Sequence, residues 1–350
     1  MKIGKILLGG VAVVVAYDYI KNKQTGVDSN IKHVYGSTEV DIQNAIDSTN
    51  AGRKIYLHDS FTINDTILLP SDTLLDLSAG KLTAANGLGY TKPMIRNSDI
   101  VNGNSNITVN GGEIDGNRAN RQAVPPGKDS LWDILIYKDK TIANGKKCNN
   151  ILVENCYIHN TPKVAVSYVN CYNSLISNCI FENNGWTSAD IYIFDEKNTD
   201  WVQSINSHVT NCTFKNTTCG VSPGWGSNMK VTNCKFSNLT NYGVYCDGAK
   251  LTTVSNNTFD NCYPASIGGG CVVGIPVDQL TITGNTISNT TVGIEVACGS
   301  KGFHTITNNN GSNVTTGIKI SSGNKHGSTI SGNTGLPVVC YDDPYSPYRC

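Results

Sequence analysis

The sequence predicts an all-β chain folded as a parallel β-helix, a solenoid of about ten coils. Composition, a recurring phrase and the spacing of that phrase predict it. Charged residues are only 15% of the 350, against roughly 25% in an average domain, and Asn, Thr, Ser and 35 glycines crowd the chain. Residues that favour long amphipathic helices are scarce, which argues against a helical fold. A 39% hydrophobic content argues against disorder. The 27 basic and 27 acidic side chains balance, so the basic footprint of a nucleic-acid-binding surface is missing.

The phrase recurs as ILVENCYIHN (151–160), SLISNCIFEN (174–183), SHVTNCTFKN (207–216) and MKVTNCKFSN (229–238). It continues as TTVSNNTFDN (252–261), LTITGNTISN (280–289), HTITNNNGSN (304–313) and STISGNTGLP (328–337). Earlier versions are LLDLSAGKLTAAN (74–86) and NITVNGGEIDGN (106–117). Each reads as a short alternating strand, a two-residue turn and a second short strand. The turns fall at Cys156, Cys179, Cys212, Cys234, Asn257, Asn285, Asn309 and Asn333, at spacings of 23, 33, 22, 23, 28, 24 and 24 residues. Such a period, with loops absorbing the extra residues, suits stacked coils. Coils stack about 4.8 Å apart, so the last four turns form an Asn ladder whose amides hydrogen-bond from coil to coil. The first four place thiols there. Parallel stacked side chains are poor disulfide geometry, so buried free thiols compete with bridges as the reading.

The elements follow in order. Residues 1–23 hold Lys2 and Lys5, then a 12-residue apolar run, Ile6 to Tyr17. The run is short of the roughly 20 residues that span a bilayer. It reads as a secretory signal, with Val14 and Ala16 at the cleavage positions, or as an N-terminal membrane anchor. Either places the protein outside the cell or on its surface and confines membrane contact to this segment. Residues 24–37 are a linker, and 38–350 form one domain with insertions at 117–147 and 194–207. The tail 338–350 carries Cys340 and Cys350 as a terminal disulfide clasp. With 13 cysteines at least one is unpaired, and no Cys/His spacing suits zinc. Nine Asn-x-Ser/Thr sequons occur; several arise from the repeat and are read as buried turns, and none is read as a glycosylation site.

The repeat resembles that of right-handed parallel β-helix proteins of the pectin-lyase-like superfamily, which includes polygalacturonases and phage tail-spike depolymerases. Residues 41–80 resemble that superfamily's entry segment, a capping helix leading into a first coil. ITVNGGEIDGN (107–117) resembles its Gly-Gly-x-Ile-Asp-Gly turn. The resemblance covers roughly residues 38–340 and implies the fold, whereas the superfamily's chemistry ranges from hydrolases and lyases to adhesins and inert spikes.

Each coil carries a further strand of the form Gly-apolar-x-apolar, as in GVY (243–245), GIEV (293–296) and GIKI (317–320). Aligning DILI (133–136), KVAV (163–166) and DIYI (190–193) on it fills the Gly position with Asp133, Lys163 and Asp190. In register, the two aspartates would stand about 9–10 Å apart, near the upper edge of an inverting glycosidase pair. Lys163 between them would hold both ionised. The three are candidate catalytic residues; an ion-paired row covering a strand is the competing reading. Of the four polygalacturonase motifs only the first motif's Asp has a counterpart, Asp190 in Ser188-Ala189-Asp190. Thr217-Thr218 stands at the Asp-Asp motif, Tyr242 at the histidine, and Arg-x-Lys is absent.

Loops on a rigid solenoid concentrate binding residues. All four tryptophans, Trp132, Trp186, Trp201 and Trp225, fall near these coils. With Tyr192, Tyr245 and Arg121 they are candidate contacts to a polysaccharide or cell-surface glycan. Asp195, Glu196 and Asp200 are candidate oxygen ligands for Ca2+. The expected function is therefore binding, with or without cleavage, of an extracellular polysaccharide by a hydrolase or lyase. The alternative is a non-catalytic adhesion or virion-spike module, and a homo-oligomer is compatible with either.

Overall fold

The computed structural model describes residues 29–122, 132–139, 147–191, 204–224, 226–270, 277–297 and 303–342. The N-terminal 1–23 segment, the 24–28 part of the linker and Cys350 of the expected clasp lie outside the described residues. Helix α1 (Glu39–Asp47) is the expected cap. Thr38 precedes it, with Asp41 closing a capping box three residues on. Its apolar face, Ile42 and Ile46, seals the first coil. Beyond it the chain winds as a right-handed parallel solenoid of about 11 turns, matching the repeat. Among the described residues no helix is long and apolar enough to cross a membrane.

Every coil contributes to three parallel ladders. The first runs from Ile31–Val34 to Thr329–Ser331 and holds the strand before each turn. The second holds the strand after it, as in Tyr157–His159, Ile180–Glu182 and Thr213–Lys215. The third holds the Gly-apolar strands, such as Val164–Val169, Thr187–Ile191 and Val244–Asp247. In the late coils Thr286–Val296 and Asn310–Ser321 run through both the second and the third ladder, joining them as one sheet.

The register explains the composition. The residue opening each inter-ladder turn has a left-handed backbone, φ +57° at Asn155 and Asn256 and +56° at Asn211. Asn tolerates this conformation better than other side-chain-bearing residues. The second turn residue points inward. Asn257, Asn285, Asn309 and Asn333 form the expected ladder, with Nδ2 donating to the next Oδ1 at 2.9–3.0 Å. Each Nδ2 also donates to a carbonyl of the preceding coil, as Asn285 does to Val254 at 2.9 Å. In the earlier coils Cys156, Cys179, Cys212 and Cys234 take this place as buried free thiols. They aim Sγ at the equivalent carbonyls, Cys234 at Val209 O at 3.8 Å. Inside the second ladder Phe181, Phe214, Phe236 and Phe259 stack with centroids 4.6–4.9 Å apart. Outward-facing Asn form their own ladders, such as Asn183 onto Asn160 at 2.7 Å and Asn313 onto Asn289 at 2.7 Å. The sequon asparagines of these turns, including Asn216, Asn238 and Asn289, are therefore exposed, not buried as the sequence suggested.

Candidate functional site

The third ladder carries the sequence-derived candidates, and its register separates them. Trp132 pairs with Val164 and Ile134 with Val166, so Asp133 stands opposite Ala165 and, one coil on, Ser188. Asp190 pairs with Ser167 and Ser222 instead. Lys163 precedes both rows and lies beside Trp186, whose N–H donates to the Lys163 carbonyl at 2.8 Å. The expected Asp–Lys–Asp row does not form. All three segments read as charged-apolar-x-apolar, and a strand's period of two leaves that pattern unchanged when the alignment slips by two residues.

Asp133 occupies the corner where later coils place Gly220 and Gly243, whose added Cβ would strike Phe236 and Phe259. The corner is interior, and Asp133 is fully buried. Arg121 Nη1 binds its Oδ1 at 2.8 Å with both side chains closed to solvent, Thr161 Oγ1 donates to its Oδ2, and Arg121 Nη2 donates to Lys92 O at 2.7 Å. Burial pushes the Asp133 carboxyl up to about 6, against the pull of the Arg121 guanidinium. Neither Asp133 nor Arg121 faces a surface that a polymer could reach, which corrects both assignments. The Asp-for-Gly replacement marks an internal ion pair.

Trp132 opens its strand half-buried and Trp186 is 53% exposed. The side chain of Asp190, together with Tyr192, Asp195, Glu196, Asp200, Trp201 and Trp225, lies outside the described residues.

By backbone register Asp190 is followed, coil by coil, by Ser222, Tyr245, Gly268, Glu295 and Lys319, and from Ser222 on this row faces outward. Tyr242 and Tyr245 stack with centroids 4.6 Å apart. A Cβ on Gly268 would come within 2.5 Å of the Tyr242 ring, and one on Gly270 within 2.8 Å of the Tyr245 hydroxyl. Both tyrosines thus pack closely against glycine backbone that a side chain would block. Glu295 accepts Lys319 Nζ at 2.7 Å and hydrogen-bonds Tyr242, whose hydroxyl burial and Glu295 together push up. The result is an aromatic floor beside a carboxylate–ammonium pair on a straight row.

Sequence reasoning missed a second constellation on the outer face of the second ladder. Glu113, Tyr157 and Ile180 share one row with Lys81, and Asp115, His159, Glu182 and Lys215 share the next. Lys81 binds Glu113 at 2.7 Å and Asp115 at 3.6 Å, and Lys215 binds Glu182 at 3.0 Å. Lys81, then His159, hold the Glu113 carboxyl below its usual range. The hydroxyl of Tyr157 donates to Glu182 at 2.7 Å, and burial followed by that carboxylate pushes the phenol up to about 12. The signal was legible: in a chain this poor in charge, EID and YIH place ionisable groups at two outward positions, and IFE and TFK continue them at the second.

Donor atoms of Glu113, Asp115 and His159 lie within 4.8 Å of one another, yet the network suits hydrogen bonding better than a metal. Asn183 donates to Asn160 Oδ1 at 2.7 Å, which turns the Asn160 amide nitrogen toward His159 Nδ1, at 2.7 Å. Nδ1 is then the acceptor, and Nε2–H donates to Glu113 at 2.9 Å. A metal would need Nε2 bare and Lys81 displaced.

Residues 201–334 match the family model for a right-handed β-helix region. No curated protein matches the chain by sequence. An exopolygalacturonase from Thermotoga maritima superposes with a TM-score of 0.61 at 12% identity, covering 91% of each chain. PfbA, a surface adhesin of Streptococcus pneumoniae, gives 0.58 at 17% identity over 88% of each. ORF18 of Geobacillus virus E2 gives 0.65 at 16% identity, over 97% of this chain and 65% of that one. At such identities the likeness is one of fold. The chain is a right-handed parallel β-helix protein with the pectin-lyase-like fold.

Proposed function

We propose that the protein is an extracellular or surface-attached β-helix module that binds a polysaccharide along the outward row of its third ladder. The carrying observation is the tyrosine pair laid on Gly268 and Gly270 beside Glu295 and Lys319. Aromatic faces supply apolar contact for a sugar ring, and the charged pair supplies directional partners for hydroxyl or carboxylate groups. Trp186 adds exposed aromatic surface two coils before the tyrosine pair. The solved structures of like fold include a polygalacturonase and a surface adhesin, so the fold accommodates both cleavage and adhesion.

Adhesion or spike-type attachment is the better-supported reading. The expected Asp133–Asp190 acid/base pair is dissolved by register and burial, and three of the four polygalacturonase motifs have no counterpart. Cleavage keeps one observation in its favour, the backbone register that sets Asp190 two coils before Tyr245.

The test is binding of wild-type protein and Tyr245→Ala to immobilised acidic and neutral polysaccharides, with product release scored in parallel. At least one polysaccharide is expected to bind, and Tyr245→Ala to weaken it at least tenfold. Unchanged binding in the variant, or none across the panel, contradicts the reading. Product release abolished in Asp190→Asn with binding intact would move the assignment from adhesion to hydrolysis or lysis.

A further inference from the structure

At the N-terminal end of the first ladder four rings form a row on the surface, with centroids 5.2 Å apart for Tyr56 and His33, 5.1 Å for His33 and His58, and 4.8 Å for His58 and Tyr35. They come from consecutive coils, His33 from Ile31–Val34 and His58 from the residue after Arg53–Leu57. The two imidazoles lie at the middle of the row and meet edge to edge, 23° from coplanar, with a tyrosine ring flanking each. His33 Nδ1 faces His58 Nε2 at 2.8 Å. Nothing in the glycan-binding face uses this cluster.

We propose that His33 and His58 form a surface site for a borderline divalent metal ion such as Zn2+, Ni2+ or Cu2+, which staples the first two coils. Imidazole nitrogen suits these ions. Zinc–nitrogen bonds of about 2.0–2.1 Å at a tetrahedral angle place two nitrogens about 3.3 Å apart, so these need to separate by only about half an ångström. The surroundings favour a cation. The nearby Asp76 carboxyl is held below its usual range by hydrogen bonds from Ser78 and Asn110. Asp59 adjoins His58 and accepts the Gly36 N–H at 3.0 Å. His33 lies exposed, and water completes the coordination. At His159 an amide and a lysine fill the places a metal would need; here, among the described residues, the facing nitrogens share one proton with each other, and a metal requires only that the donor ring carry it on its other nitrogen.

The test is calorimetric titration of the full chain with ZnCl2 and NiCl2, with thermal unfolding followed in parallel. One saturable equivalent is expected at His33 and His58. It should weaken at least tenfold in His33→Ala and in His58→Gln, weaken on acidification because the ligands must be deprotonated, and persist in His159→Ala. The melting temperature should rise with metal in wild type and not in either of the first two variants. Affinity within threefold of wild type in both His33→Ala and His58→Gln, or no saturable binding by wild type, overturns the site. Loss of binding in His159→Ala with retention in His33→Ala would transfer the metal to the second-ladder network and overturn it equally.

Discussion

Replacing Arg121 by Met is expected to lower stability by about 3–5 kcal/mol at neutral pH, because it strands the buried Asp133 carboxylate without its cation. The deficit has a defined pH dependence. Burial already pushes this carboxyl up to about 6 with Arg121 in place, and without the guanidinium that push loses its largest opponent, leaving the Thr161 hydroxyl and His159. A carboxyl raised on folding penalises the folded state only where it ionises. The penalty is absent below the value of a free Asp, about 3.9, and grows as pH rises through the folded value. Urea midpoints should therefore differ more at pH 8 than at pH 5. Adding Asp133→Leu to Arg121→Met should recover most of the loss, since exchanging a whole buried pair for apolar groups is often neutral. A deficit that is independent of pH would show that packing of the arginine stem, not the stranded charge, carries the effect.

Asn285→Leu is expected to cost about 3 kcal/mol, whereas Asn285→Cys should cost about 1. Asn285 Oδ1 accepts from the Asn257 backbone N–H and side chain, each at 3.0 Å. Its Nδ2 donates to Val254 O and Asn309 Oδ1, each at 2.9 Å. Leucine leaves buried donors and acceptors without partners, at about 1–3 kcal/mol each in such a site. A cysteine thiol can still donate to the carbonyl, as Cys234 does in the equivalent place. Denaturation midpoints of the two variants check the ordering, and equal losses would contradict it.

Most of the fold was legible because the repeat carries geometry as well as hydrophobicity. Asn at the left-handed turn position and Cys or Asn just inside it fix each coil's corner, so Val153, Ile176, Val209, Val231 and Val254 stack as the phrases align. The third ladder has no such landmark before Gly220, and alternation alone left Asp133, Lys163 and Asp190 free to slip by two residues. The Arg121–Asp133 pair was hidden for another reason: its partners lie 12 residues apart across an insertion, which no periodicity relates. The second-ladder network was written at fixed offsets from the turn, in Glu113, Asp115, Tyr157, His159 and Glu182. It went unseen because Gly replacements drew attention to the wrong strand.

The central claim is that a glycan lies along the solenoid axis on the row from Asp190 to Lys319. Five coil steps of about 4.8 Å make that row about 24 Å long. Titrating the protein with size-graded oligosaccharides of the polysaccharide it binds tests this most directly. Affinity should rise with length up to about 24 Å and then level off, with Tyr245→Ala flattening the rise. An affinity that does not change with length, or a rise that Tyr245→Ala leaves intact, would contradict the account.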